Sequence, residues 1–148
     1  MICRPSHTRN LVENCSLAVD IDAFVRAGVL DGDDVSGTVT VAENSMAFAV
    51  RHQDSEAPLV CFACAVETAE ECHEVRAAVP VVATTQRVGS RRWWSCPSCA
   101  RRTRIVYVTP GASGMCCRIC GGLVHRSAAE HTYRRRALRH QGGHHPLR

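Results

Sequence analysis

Four cysteines in two closely spaced pairs are the residues of this chain whose types and spacing could do chemistry. Two residues separate Cys96 from Cys99, and two separate Cys117 from Cys120. Thiol pairs at this separation along a chain are typical of a tetrahedral zinc site. Four thiolates fill the coordination sphere of zinc and leave no position for water or substrate. The spacing therefore predicts one structural Zn²⁺ ion.

Cys116 is an alternative ligand because it directly precedes Cys117. A pair formed by Cys117 and Cys120 repeats the spacing of the first pair, whereas Cys116 would leave three intervening residues. We therefore favour Cys117 as the ligand and expect Cys116 to pack on the hairpin core.

A second cysteine cluster lies earlier, where Cys61, Cys64, Cys72 and His73 occur close together in the sequence. Residues three apart on a strand point to opposite faces, so Cys61 and Cys64 would diverge. No Gly or Pro lies between them to form the tight turn of a metal-binding knuckle. We favour small core residues here, and a second metal site stays open as the alternative.

The elements that must position the four ligands form a zinc ribbon over residues 93–125. Alternation over Arg102–Thr109 (RTRIVYVT) predicts a first strand, PGASG a turn, and Leu123–His125 a returning strand. The glycines after Cys120 permit the sharp backbone turn that a knuckle needs. Such a hairpin has almost no core of its own, so metal binding would supply much of its folding free energy.

Charge divides the chain into an acidic and a basic half. Residues 1–85 hold 5 Arg against 13 Asp and Glu, a net charge of −8. Residues 86–148 hold 13 Arg against Glu130 alone, a net charge of +12, and the chain contains no Lys. Clustered positive charge makes a surface that attracts phosphate backbones.

The acidic half, residues 1–85, is predicted to be a β-rich domain with one helix. Asp20 as a cap, apolar residues at helical spacing and Gly28 as a stop predict a short helix at about 21–27. Apolar alternation or apolar runs predict four strands, near 35–41, 46–50, 59–66 and 75–83. Short connections between them favour an antiparallel meander.

The basic half begins with a predicted linker, residues 86–92 (QRVGSRR). Adjacent residues on a strand face opposite ways, so one of Trp93 and Trp94 should pack on the β-rich domain. The other would cover the ribbon or lie exposed. After the ribbon, Ser127 and Glu130 match a capping box, which predicts a basic helix over 126–141, followed by a disordered tail at 142–148. The predicted fold class is α+β: a small antiparallel meander with a short helix, a four-cysteine zinc ribbon and a basic C-terminal helix.

The leading functional hypothesis is nucleic-acid binding, to DNA or RNA, through arginines of the ribbon and the C-terminal helix. Arg bonds phosphate oxygens bidentately, which suits it to this contact. The predicted contacts are Arg91, Arg92, Arg101, Arg102, Arg104, Arg134, Arg135, Arg136 and Arg139.

The alternative hypothesis is a protein–protein interaction module, in which the acidic half docks a partner or neutralises its own basic half, and the zinc site is purely structural. The turn with Asp31, Asp33 and Asp34 lacks a basic or His neighbour in the sequence. We therefore predict no catalytic residues and no enzyme activity. No apolar run is long enough to span a membrane and no signal segment is evident, which predicts a soluble cytoplasmic protein without a membrane partner.

These motifs together resemble a family of small bacterial zinc-ribbon proteins, often associated with prophages and other mobile elements, to which no activity is assigned. The likeness rests on Arg9–Val19 (RNLVENCSLAV), SGT at the first strand, Arg92–Cys99 (RWWSCPSC), Arg101–Tyr107 and Cys117–Ser127 (CRICGGLVHRS). His125 stands where the family commonly has Tyr. The resemblance implies a β-rich domain plus a zinc ribbon. Together with the nucleic-acid hypothesis, it leads us to expect a phage or mobile-element accessory or regulatory adaptor.

Overall fold

Eight strands and one α-helix are the main elements of the residues that the structure describes. The structure, a computed structural model, describes residues 11–15, 17–41, 43–52, 57–67 and 71–128. A single 3-10 turn at Val12–Asn14 precedes β1 (Leu17–Asp20) and α1 (Ile21–Arg26). The remaining strands are β2 (Val35–Val41), β3 (Asn44–Arg51), β4 (Leu59–Glu67), β5 (Cys72–Thr85), β6 (Ser90–Ser95), β7 (Arg102–Thr103) and β8 (Ile105–Val108).

Strands β2 to β7 form one antiparallel meander of six strands in chain order. Burial alternates along β4 and β5, so one face of the sheet is covered and the other is not. The register places Phe48, Phe62 and Ala77 side by side on the covered face. Ala49, Cys61 and Ala78 lie together on the opposite face. The predicted antiparallel meander is thus present, with two more strands than the acidic half alone supplies.

A second, smaller layer covers this sheet. Strands β1 and β8 pair antiparallel, with Val19 opposite Val106. Helix α1 follows β1 directly and begins where the Asp20 carboxylate accepts a hydrogen bond from the Asp22 N–H at 2.9 Å. Such a bond satisfies one of the free N–H groups at a helix start. The short helix predicted at about 21–27 is confirmed, whereas β1, with only four residues, is an element that we did not predict.

An aromatic cluster joins the two layers. Trp94 of β6 is fully buried, and its indole N–H donates to the Val19 carbonyl oxygen at 3.0 Å. Its ring meets Phe24 of α1 and Phe62 of β4 edge-on, with centroid distances of 5.5 and 5.8 Å. Phe48 also meets Phe24, at 5.1 Å. Edge-to-face contacts of this kind are favourable beyond the area that they bury.

The segment predicted as a linker, residues 86–92, lies in the hairpin between β5 and β6. The Gln86 N–H donates to the Gly89 carbonyl at 3.0 Å, and Gly89 has a φ of +77°, the left-handed conformation that a glycine adopts without strain. From Ser90 onward β6 pairs with β5, with Arg92 opposite Ala83 and Trp94 opposite Val81. Backbone pairing therefore continues across the predicted boundary between the acidic half and the ribbon.

The predicted α+β fold class is wrong. In the described ranges, two antiparallel sheets hold most residues, and the helical elements are the 3-10 turn, six-residue α1 and one helical turn at 126–128. No basic C-terminal helix is found there, and residues 129–148, with most of the predicted helix and the predicted tail, lie outside them. The prediction of a second helix depended on a capping box. The architecture is instead determined by the alternating strands between residues 35 and 108.

Candidate metal centre

The first cysteine pair sits at the tip of the β6–β7 hairpin. Strand β6 ends at Ser95, and the chain turns through Cys96–Cys99 before β7 begins at Arg102. The Cys96 N–H donates to the Arg101 carbonyl at 2.9 Å, and the Ala100 N–H donates to the Cys96 carbonyl at 2.8 Å. Ala100 has a φ of 56°, a conformation uncommon for a residue with a side chain. The turn is thus tightly closed around the two thiols.

The second pair lies on a matching turn after the β8 segment. The Gly121 N–H donates to the Cys117 carbonyl at 3.0 Å, and the Gly122 N–H donates to the Ile119 carbonyl at 3.0 Å. Gly122 has a φ of 60°, as expected for a residue that reverses the chain. Gly121 is needed for space, since a Cβ there would lie 2.9 Å from Cγ2 of Thr109.

The two turns bring the four predicted ligands together. The Sγ atoms of Cys96, Cys99, Cys117 and Cys120 all lie within 4.8 Å of one another, a group that could hold a metal ion. The Cys96–Cys120 and Cys99–Cys117 sulfur separations are 4.0 and 3.8 Å. A tetrahedral zinc with Zn–S bonds of about 2.3 Å places its sulfurs about 3.8 Å apart. The donor set and its spacing therefore fit the predicted metal.

Backbone dipoles favour thiolates at this site. The Cys117 N–H points at Cys96 Sγ from 3.2 Å, and the Cys120 N–H points at Cys117 Sγ from 3.5 Å. Burial raises the pKa of Cys96, but N–H groups of Cys117, Cys99 and Ser98 outweigh it and lower that pKa to about 6. Thiol contacts from Cys99 and Cys117 raise the pKa of Cys120 to about 12. Four sulfurs this close cannot all ionise without a cation between them.

Cys116 stands outside the group of four. Its backbone exchanges hydrogen bonds with Tyr107, at 2.8 and 3.0 Å, which fixes the loop against β8. Burial raises the pKa of the Cys116 thiol, and its sulfur is not among the four that lie within 4.8 Å of one another. This placement agrees with the choice of Cys117. The predicted returning strand Leu123–His125 is replaced by a single bridge, in which Val124 pairs in parallel with Leu11.

The alternative second metal site is not assembled in the described part of the chain. Cys61 and Cys64 lie on opposite faces of β4, with Cys64 buried in the core. His73 Nε2 lies 3.2 Å from the Ala112 carbonyl oxygen, and Cys72 is exposed at the start of β5. Within the described ranges, the Cys96 cluster is the only group of its kind.

Three arginines surround a small hollow beside the cluster. Arg101, Arg102 and Arg118 are exposed, and together with Thr103, Cys117 and Ile119 they line a volume of about 160 Å³. Their positive charge lies next to a four-thiolate site that would carry a net charge of −2 with a divalent ion. Ile119, at the rim, keeps 59% of its surface exposed.

Two other arginines predicted to bind phosphate are engaged within the chain. Arg92 forms an ion pair with Asp31, and Arg104 binds the Asp20 carboxylate through Nε at 3.0 Å and one terminal nitrogen at 2.7 Å. Arg104 Nε also lies 3.1 Å from Asp22. The partners Asp31 and Asp20 were missed in the sequence, since they lie 61 and 84 residues away along the chain.

Arg91 stacks its guanidinium over the Trp93 ring, 4.2 Å from the centroid, and the Trp93 indole N–H donates to Thr84 Oγ1 at 2.9 Å. Trp93 thus lies half-buried on the face opposite to Trp94, as alternation predicts. Arg134, Arg135, Arg136 and Arg139, which were assigned to the predicted C-terminal helix, lie outside the described residues.

Comparisons with known proteins do not add to these observations. Searches of the chain against protein-family models, curated proteins and solved structures return no match. Among the described residues, no helix combines the length and the apolar character that crossing a membrane requires.

Proposed function

We propose that Cys96, Cys99, Cys117 and Cys120 hold one Zn²⁺ ion with a structural role. The all-sulfur donor set and the sulfur separations of 3.8 and 4.0 Å support zinc over metals that prefer oxygen. The ion would supply a rigid crosslink between the β6–β7 hairpin and the turn at 117–122. With four sulfurs around it, the ion would have no open position for a substrate.

We further propose that the centre presents arginines to a nucleic-acid backbone. The observation that carries this proposal is the hollow formed by Arg101, Arg102 and Arg118, whose guanidinium groups have no described acidic partner. Its size suits a phosphate group, and Arg is the side chain best matched to phosphate geometry. Arg92 and Arg104, which pair with Asp31 and Asp20, are secondary contributors at most.

The cellular setting of this activity is a proposal from sequence. The resemblance of Arg92–Cys99 and Cys117–Ser127 to mobile-element zinc ribbons points to an accessory or regulatory adaptor in the cytoplasm. Zinc would hold the arginines in place, and binding would be largely independent of base sequence, because phosphate contacts position a protein without specifying a sequence.

The test is fluorescence anisotropy with labelled single- and double-stranded oligonucleotides over a range of salt concentrations. The triple variant R101Q/R102Q/R118Q should weaken binding and reduce the slope of log K against log salt by about 2 to 3. The matched control is R26Q/R51Q/R76Q, which removes the same charge from exposed arginines of the acidic half. An equal loss in both variants would show a non-specific charge effect and contradict the proposal, as would absence of binding at low salt.

A second candidate function, protein binding at the same turn, is favoured by the exposed Ile119. An apolar side chain that is 59% exposed and lines the same hollow as Arg101 and Arg118 resembles the centre of a small protein-binding patch. I119S should leave oligonucleotide affinity unchanged if the arginines bind phosphate. If the native ligand is a protein, one partner should be recovered in a pull-down after nuclease treatment, and I119S should abolish that recovery.

A further inference from the structure

The six-stranded sheet ends in an exposed edge at β2. Strand β2 pairs with β3 on one side, and no described strand pairs with its other side. Val35–Val41 contains no charged residue and no proline, the features that usually protect an edge from pairing with another chain. All seven of its positions pair with β3 in continuous register, so the strand is regular along its whole length. The edge is therefore a template for one further strand.

The sequence of β2 matches itself when it is reversed about Thr38. An antiparallel copy centred on Thr38 places Val35 opposite Val41 and Ser36 opposite Thr40. Valines thus meet on the covered face and hydroxyl side chains meet on the other face, as period-two alternation requires. Val35–Val41 holds no charged side chain, so no like charges face each other along these seven positions.

The pair formed by Gly37 and Val39 also fits. The space above Gly37 is already filled, because a Cβ there would lie 3.1 Å from the Phe48 ring of its own chain. A larger residue at position 37 would crowd Val39 of the second copy as well as Phe48. The small–large pairing therefore suits an antiparallel partner of identical sequence.

An apolar recess borders the same edge. It lies between α1 and β2, has a volume of about 210 Å³ and includes Ala23, Ala27, Val29 and Val39 in its lining. A strand added beside β2 would extend the sheet past this recess and cover part of it. Interfaces formed by strand addition usually combine backbone hydrogen bonds with the filling of such a recess.

We propose that the protein forms a two-fold symmetric dimer in which the β2 strands of two copies pair antiparallel around Thr38. The two six-stranded sheets would then form one sheet of twelve strands. Strand β7, which follows the first metal-binding turn, is the strand at the far edge of each sheet. Both metal centres and their arginine hollows therefore stay accessible in the dimer, and this proposal does not depend on what those hollows bind.

The test uses charge pairs that the register dictates, read by sedimentation velocity of the full chain across a wide concentration range. Ser36 and Thr40 face uncharged Ala49 and Ser45 within the monomer, so charges there should leave its fold intact. In the dimer, S36E/T40E and S36K/T40K each place like charges opposite one another twice. Each variant alone should raise the dimer Kd by about tenfold or more.

An equimolar mixture of S36E/T40E and S36K/T40K should restore the dimer, because Glu then faces Lys at both pairs. S36E/T40K should dimerise alone, at least as tightly as the unaltered chain. Near-UV circular dichroism and bound zinc, unchanged in all variants, verify the fold. The proposal is overturned if the unaltered chain stays monomeric, which would mean that the edge is covered by other residues of this chain or left free. It is also overturned if like charges leave the dimer intact, or if mixing does not restore it.

Discussion

Replacement of Trp94 by Phe tests whether the ribbon and the acidic half share one core. W94F removes the indole N–H that bonds the Val19 carbonyl at 3.0 Å, which costs about 0.5–1.5 kcal/mol. It also removes ring atoms from a fully buried site between Phe24 and Phe62, and the resulting cavity adds about 1.5–2.5 kcal/mol. The expected loss is about 2–4 kcal/mol of a total stability on the order of 5–15 kcal/mol.

The adjacent residue supplies the matched control. Trp93 is half-buried, and its bond to Thr84 Oγ1 can be replaced by water, so W93F should cost less than about 1 kcal/mol. With a slope of about 2 kcal/mol per molar urea, W94F should lower the unfolding midpoint by about 1–2 M and W93F by less than about 0.5 M.

Urea titration followed by tryptophan fluorescence measures both variants. The chain has 2 Trp, so each variant keeps a single reporter, Trp93 in W94F and Trp94 in W93F. If the two midpoints shift equally, or if W94F unfolds in two separate steps, Trp94 does not join the ribbon to the sheet and the reasoning fails.

Three further outcomes are expected. Stripping the metal with a chelator should loosen the two cysteine turns. The near-UV circular dichroism signal of buried Trp94 should persist, because that ring packs on the sheet rather than on the metal. Loss of the whole signal would contradict this expectation. Partial burial opposes ionisation of Asp20, but hydrogen bonds from Arg104 and the Asp22 N–H lower its pKa. The ionised carboxylate therefore stabilises the fold above the unfolded pKa near 4, and this stabilisation is lost as pH falls through the lower folded pKa. D20N should therefore flatten the decline of Tm between about pH 4 and pH 2, and an unchanged pH profile would exclude this role. G121A should destabilise the second turn by about 1–3 kcal/mol and weaken zinc affinity, because the new Cβ would lie 2.9 Å from Cγ2 of Thr109. Adding T109S to this variant removes that methyl group and should recover part of the lost stability.

The dependence of the ribbon on metal is where sequence reasoning was least complete. Considered alone, residues 93–125 form a hairpin with almost no core of its own, and zinc binding was expected to supply much of its folding free energy. In the structure, Trp94, Val106, Val108 and Met115 belong to the same core cluster as Phe24 and Phe62. Because burial in a shared core stabilises these residues whether or not a metal is bound, we expect metal dependence to be confined to the turns.

The linker shows why local composition misled. Gly89 and Ser90 indicate a flexible backbone when the residues are considered one at a time. Whether such a segment is a flexible tether or a hairpin turn depends on whether the strands that flank it pair. That pairing, Val82 with Trp93 and Thr84 with Arg91, is a contact that only the folded chain forms.

Which four cysteines come together, where the helix starts and how the strands alternate were determined by the sequence itself. Each depends on local geometry: two residues between thiols, a carboxylate two residues before an N–H, and a side-chain period of two. The tertiary structure alone decided which charges meet. Arg104 and Asp20 are 84 residues apart, and Arg101 shares a hollow with Arg118 because two cysteine turns converge. Local rules fix what a residue can do, whereas long-range packing determines which partner it has and therefore which arginines stay available for a ligand.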